Sequence, residues 1–308
     1  MNERNDFRIL SLDGGGSKGV YTLGILREVE ALAKRLLHEE FDLIYGTSTG
    51  AIIAALLALG YDIETVTKMY LEIIPDVMQH KSRSKRSAAL RENAEKIFGD
   101  KKFGSFLTDI GIVSMHYDNA KPMIFKVSVK QAHGRSSTFA PGFGCTIADA
   151  LMASTAAFPF FKRLKVQTQN QGEPEVMDGG FVANNPTLFA IADAIKAYKL
   201  PKEMLRVLSL GVGIYNEPQR KFYYRLLFKL WPFYLTPKIL DASTNTIEQL
   251  RAILFPEVQT VRINDAFPQK EYETDLLESD RDKLMKLNSL GRESFAKQEG
   301  RLKEVFGW

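Results

Sequence analysis

A single cysteine, Cys145, stands in 308 residues, so no internal disulfide can form and nothing asks for an oxidising compartment. Long apolar runs are missing too. The longest, "AIIAALLAL" from Ala51 to Leu59, falls far short of the roughly 20 residues that span a bilayer, and reads as a buried helix. The N-terminus, "MNERNDFRILSLDGGG", is charged first and apolar only briefly, without the apolar core and cleavage site of a signal peptide. The expectation is a cytoplasmic protein. An excess of either charge is nearly absent: 41 basic against 37 acidic residues leave +4, too little to argue for a DNA or RNA polymer as partner. Histidine is scarce as well, with His38, His80, His116 and His133 and none beyond.

What remains is ordinary globular composition, 45% hydrophobic and 25% charged, in a chain long enough for a large core. "FRILSL" (Phe7 to Leu12) reads as a buried strand. The next segment repeats apolar Val20, Leu23, Leu26, Val29 and Leu36 at helical spacing. "FDLIYG" and "TGAIIAALLALG" repeat the strand and helix. This alternation predicts an α/β fold with a mainly parallel sheet covered on both faces. Further strands are expected in "PMIFKVSV" (Pro122 to Val129), "RVLSLGVG" (Arg206 to Gly213) and "VQTVRI" (Val258 to Ile263). No linker or repeat divides them, so residues 1–308 read as one domain. The basic segment at about 77–104 reads as a helical insertion over the sheet edge, and about 265–308 as an extension of charged surface helices.

Three motifs carry chemistry. "GTSTG" fits Gly-x-Ser-x-Gly, a tight strand-to-helix turn that exposes Ser48 at a helix N-terminus; the bland alternative is a serine that only caps the helix. A serine needs a base, and the usual order of serine, acid, histidine is closed because no histidine follows residue 133. A carboxylate is therefore sought. Asp178, in "EVMDGGFVANNP", ends a short apolar stretch and can serve if its surroundings raise its basicity; alone, it would read as a turn aspartate. "DGGGSKG" (Asp13 to Gly19) gathers backbone N–H groups at a helix start, which suits an oxyanion hole or a phosphate cradle. Gly14, Gly16 and Gly19 match a dinucleotide fingerprint, but the next strand ends in "GTSTG" without an acidic ribose ligand. "DGGGSK" also looks like the phosphate loop of actin-like ATPases and sugar kinases, which place a hairpin where this chain shows a helix.

Together with "ASTAAFPFF" (Ala153 to Phe161) and "LSLGVG", these motifs stand in the order found in the patatin-like phospholipases, and the chain resembles that family from about Ile9 to Gly213. The resemblance implies a three-layer α/β/α fold and a metal-free Ser/Asp dyad that hydrolyses acyl esters of membrane glycerophospholipids. Residue by residue, it implies Ser48 as nucleophile, Asp178 as base, Gly14, Gly15 and Gly16 as the oxyanion hole, and no cofactor for catalysis. Lys18 replaces the family's more common arginine, keeping charge and losing the planar fork, as support for substrate or loop. The sequence further resembles the subgroup of effectors in bacterial anti-phage signalling that stay silent until a cyclic di- or trinucleotide binds. For this chain that subgroup implies a nucleotide activator, oligomerisation on activation, and action at the inner membrane surface.

Two basic stretches are candidates for nucleotide or membrane contact. One carries Arg83, Lys85 and Arg86. The other, "EPQRKFYYRLLFKLWP", sets Lys221, Arg225 and Lys229 on one helical face near Tyr223, with Pro232 as its stop. The alternatives are a solvated helix for the first stretch, a helix packed on its own domain or on a neighbouring subunit for the second, and, for the chain as a whole, an ungated lipid hydrolase of the same family or a lipid-binding module with an inactive elbow.

Overall fold

The computed structural model describes residues 4–170, 172–218 and 231–308. Five parallel strands form the sheet's centre: β1 (Phe7–Leu12), β2 (Leu43–Thr47), β3 (Asp109–His116), β7 (Leu205–Leu210) and β8 (Gln259–Ile263), in the order β3-β2-β1-β7-β8. Antiparallel strands complete it beyond β3: β4 (Lys121–Lys126) and β6 (Glu175–Asp178), with two-residue β5 (Leu164–Lys165) on β6. The larger core packs helices α1 (Gly19–Ala33), α2 (Thr49–Ala58), α3 (Ile63–Met78), α4 (Arg83–Phe98), α5 (Ile147–Ser154) and α9 (Arg281–Phe306) on one face. A smaller core packs α7 (Thr187–Lys196), which follows the single-turn α6 (Gly180–Ala183), on the other. The fold is the three-layer α/β/α arrangement that the strand and helix alternation predicts.

Strand β3, which pattern reading does not single out, organises the site. Residues 109–113 of β3 pair with β2, and residues 114–116 pair with β6. Strand β4 pairs with residues 111–116 and so occupies the opposite edge. Strand β6 therefore continues the edge that β2 vacates. Thr47 faces Val113 and Asp178 faces Ser114, so the residue after β2 and the last residue of β6 meet.

Two segments differ from their sequence reading. The basic segment forms α4, which packs between α3 and α5 and buries Leu90, Ala94 and Phe98, so it is part of the helical layer instead of a cover on the sheet edge. The C-terminal segment holds one 26-residue helix, α9, with Leu284, Leu287, Leu290, Phe295 and Leu302 buried, because its charged residues hide an apolar stripe. Pro232, expected as a helix stop, stands at the second residue of α8 (Trp231–Leu254), and the stretch it is expected to end lies outside the described residues. At the end of α9 the Phe306 carbonyl accepts from Arg8 of the first strand, and the Trp308 indole donates to Glu40, just before β2.

Helices α1 and α9 cross at glycines. A Cβ on Gly24 would stand 2.1 Å from the Asn288 carbonyl oxygen, and one on Gly291 would stand 2.1 Å from the Tyr21 carbonyl oxygen. Substituting either by alanine forces the helices apart and is expected to cost about 1–3 kcal/mol. Gly300→Ala, in the same helix where a Cβ meets nothing, is expected to stabilise by about 0.5–1 kcal/mol. Thermal denaturation of the three variants checks the contrast.

Candidate active site

Ser48 follows β2 directly and has φ 54° and ψ −122°, a left-handed conformation that side chains rarely adopt and that must be held by its surroundings. Its amide donates to Ser154 Oγ at 2.8 Å, and that hydroxyl donates to the Val113 carbonyl at 2.6 Å. Ser154 belongs to "ASTAAFPFF", so that motif's work is to brace the elbow. Ser48 Oγ is free to donate to Asp178 Oδ2, at 2.6 Å.

Asp178 is 1% exposed. Its Oδ1 accepts from the Gly180 amide at 2.7 Å, which fixes the carboxylate with its second oxygen toward the serine. Burial pushes its pKa up to about 7, against the opposing pull of the Ser48 and Gly180 hydrogen bonds. A carboxylate so placed can take a serine proton near neutral pH. None of the four histidines lines the cavity that Ser48 and Asp178 share.

The glycine loop runs alongside. Gly14 N–H donates to the Asn184 carbonyl at 3.0 Å, which commits it within the fold and corrects its expected place among the oxyanion donors. Gly15 N–H makes a longer contact of 3.2 Å to Thr49 Oγ1, and both Gly15 and Gly16 line the Ser48 cavity. The loop is clamped from several sides. Tyr70 donates to the Gly16 carbonyl at 2.7 Å, and Asn184 Nδ2 donates to the Gly14 carbonyl at 3.1 Å. Asp13 is gripped by both Arg262 terminal nitrogens, at 2.9 and 2.5 Å. Sequence reading missed Arg262, Asn184 and Ser154 as supports. The signal for Arg262 is a lone cation in the apolar strand "VQTVRI", and "NNP" is as much a brace as a turn.

The cavity in front of Ser48 is walled by Ile52, Ile74, Met78, Leu90, Phe160 and Leu240 among others, a lining that matches a fatty-acyl chain. Its volume is only about 30 Å³, room for little more than a water. Lys18 lies half-buried in an adjoining polar pocket with Glu217, Asp241 and Asp275. Desolvation lowers its pKa, partly offset by Asp241, Glu217 and Asp275. Arg83 and Lys85 are exposed, as a ligand contact requires, but Arg86 is buried and donates to the Phe160 carbonyl, because it anchors α4 to the cavity wall. Lys221, Tyr223, Arg225 and Lys229 lie outside the described residues. Among the described residues no group of three metal-ligating side chains is placed to hold an ion, and no helix is long and apolar enough to cross a membrane.

A raised carboxyl pKa has a consequence for stability. The folded form of Asp178 holds its proton up to about pH 7, whereas an unfolded aspartate releases it near pH 4, so its contribution is present at low pH and is lost between those values. Asp178→Asn removes the penalty. Its unfolding midpoint in denaturant is expected to gain on wild type steadily from about pH 4 to 7; a pH-independent difference would contradict the buried-carboxylate assignment.

Known proteins resemble the chain in sequence and in fold. The family model for the patatin-like phospholipases matches residues 10–191. The chain is 49% identical over 300 residues, 97% of its length and 94% of the relative's, to a cUMP-AMP-activated phospholipase of Escherichia coli. It is 27% identical over 231 residues, 68% of its length and 62% of the relative's, to a cGAMP-activated phospholipase of Escherichia coli strain TW11681. Among solved structures, VipD from Legionella pneumophila superposes with a TM-score of 0.49 at 13% identity, covering 95% of this chain and 66% of that one. With the ordered motifs, the three-layer fold and a family match over more than half its length, the chain belongs to the patatin-like phospholipases.

Proposed function

We propose that this phospholipase cleaves acyl esters of membrane glycerophospholipids through a Ser48/Asp178 dyad and is switched on by a cyclic dinucleotide. The observation that carries the chemistry is the 2.6 Å bond from Ser48 Oγ to a buried carboxylate at the mouth of an apolar cavity. Ser48 attacks the ester carbonyl while Asp178 takes its proton. The tetrahedral oxyanion rests against the amides of Gly15 and Gly16, and Lys18 supplies positive charge nearby for the lipid phosphate. Asp178 returns its proton to the departing lysophospholipid oxygen. It then takes one from the water that attacks the acyl-serine and gives it to Ser48 Oγ as the bond to the acyl group breaks and the fatty acid leaves.

The switch is supported by the relatives named above, both called activated by cyclic dinucleotides, and by the narrow cavity. At about 30 Å³ the cavity is narrow beside the acyl chain it would receive, and parting of its walls is the step the nucleotide would control. Such a gate would confine attack on the bacterium's own membrane to an alarm such as phage infection.

Fatty-acid release from phospholipid vesicles tests both parts. Ser48→Ala and Asp178→Asn are each expected to lower activated release by ~10³-fold or more. The wild-type rate should climb with pH as Asp178 deprotonates through about 7. Release should need cyclic UMP-AMP. A Ser48→Ala enzyme at full rate would end the dyad, and a wild-type rate indifferent to nucleotide would end the switch alone.

A further inference from the structure

The roomiest cleft described lies apart from the Ser48 cavity and shares no lining residue with it. Its volume is about 520 Å³, within the range of roughly 300–1,000 Å³ typical of small-molecule sites. It opens at β4, whose Ile124 and Lys126 form one wall. The loop after β4 supplies Arg135, Phe139 and Phe143, and Asn170 closes it. Two aromatic rings, two cations and an amide suit a ligand with planar bases and separated phosphates. A fatty acid, with one carboxylate, would leave one cation and the flat faces of the rings without work, and an inorganic anion would leave the rings without work.

The chemistry of the two cations differs. Arg135 is exposed and makes no ion pair among the described residues. Lys126 Nζ is held at 2.6 Å by Asp193, a buried carboxylate on α7. Asp193 also accepts from Tyr45 at 2.5 Å and Gln131 at 3.1 Å, and meets His133 Nε2 at 2.7 Å. Tyr45, Gly111 and Lys126 are register partners in a row across β2, β3 and β4. Gly111 permits this, since a Cβ there would stand 2.2 Å from the tyrosine ring. Tyr45 lies three residues before Ser48, on the strand that carries the nucleophile. Two hydrogen-bonded contacts, meeting at Asp193, therefore join the rim of the cleft to that strand.

Resting on the cyclic-dinucleotide reading above, we propose that this cleft is the activator site: Arg135 and Lys126 hold the phosphates, Phe139 and Phe143 stack on the bases, and the loss of Lys126 from Asp193 is felt by the Ser48 strand through Tyr45. A phosphate drawing on Lys126 competes with Asp193 for it. The ligand thus interacts differently with the two arrangements, which is what a shift between them requires. This site is separate from Arg83 and Lys85 on α4.

Calorimetric titration of the full chain with cyclic UMP-AMP, alongside vesicle hydrolysis, tests it. Arg135→Glu and Phe139→Ala are each expected to weaken binding at least 10-fold and raise the activating concentration in step, with thermal transitions like wild type's. Arg83→Glu should bind as wild type does. Tyr45→Phe should bind but respond weakly. If both cleft variants bind and respond as wild type while wild type is activated, the cleft proposal is overturned and the switch stands. If wild type neither binds cyclic UMP-AMP nor responds to it, the switch falls and takes the cleft proposal with it.

Discussion

A carboxylate sealed from water, with one serine and one backbone amide to hydrogen-bond it, is the arrangement on which the rest of the site depends. Burial is what lifts Asp178 toward neutrality, and burial is costly unless the fold supplies partners for both oxygens. The sheet supplies them by a handover. Where β2 ends at Thr47, antiparallel β6 takes the next stretch of the same β3 edge, and the two chain ends meet as Ser48 and Asp178. The strained elbow and the desolvated base are one construction, since each holds the other in place.

Around that pair, polar groups are used to fix backbone. Arg262 on Asp13, Tyr70 on Gly16, Asn184 on Gly14 and Ser154 on the Ser48 amide each restrain a segment that glycine or a positive φ would otherwise leave free. A preorganised donor set loses little on meeting the oxyanion it is aimed at, because its dipoles are already oriented. The tight acyl cavity has the opposite character. Its walls are aliphatic side chains of α2, which starts at the elbow itself, and of α3, α4 and α8, held by undirected apolar packing.

Much of this was legible in the sequence, and the failures have physical causes. "GTSTG" and "DGGFVANNP" announce Ser48 and Asp178 because small residues are needed wherever backbone approaches backbone. Strand β3 escapes notice because Gly111 and Ser114 interrupt its apolar alternation, and Gly111 is there to admit a tyrosine ring. Helix α4 looks like a solvated insertion because its charged residues outnumber the few, Leu90 and Phe98 among them, that reach the core. The place of Gly14 could not be read at all. Nothing local to the glycine loop says that its amide is claimed by a carbonyl 170 residues away.

The packing of α9 on α1 also bears on how the enzyme comes into being. The apolar face of residues 19–33 is covered by residues 281–306, and Arg8 of the first strand reaches the Phe306 carbonyl. During synthesis at ~5–20 residues per second, the first helix therefore waits on the order of tens of seconds for its cover. The glycine loop joins that strand to that helix, and its restraint by Arg262 on Asp13 likewise arrives only after most of the chain is made. A chain still being made therefore holds Ser48 and Asp178 before it holds the helix that covers the first layer of the fold.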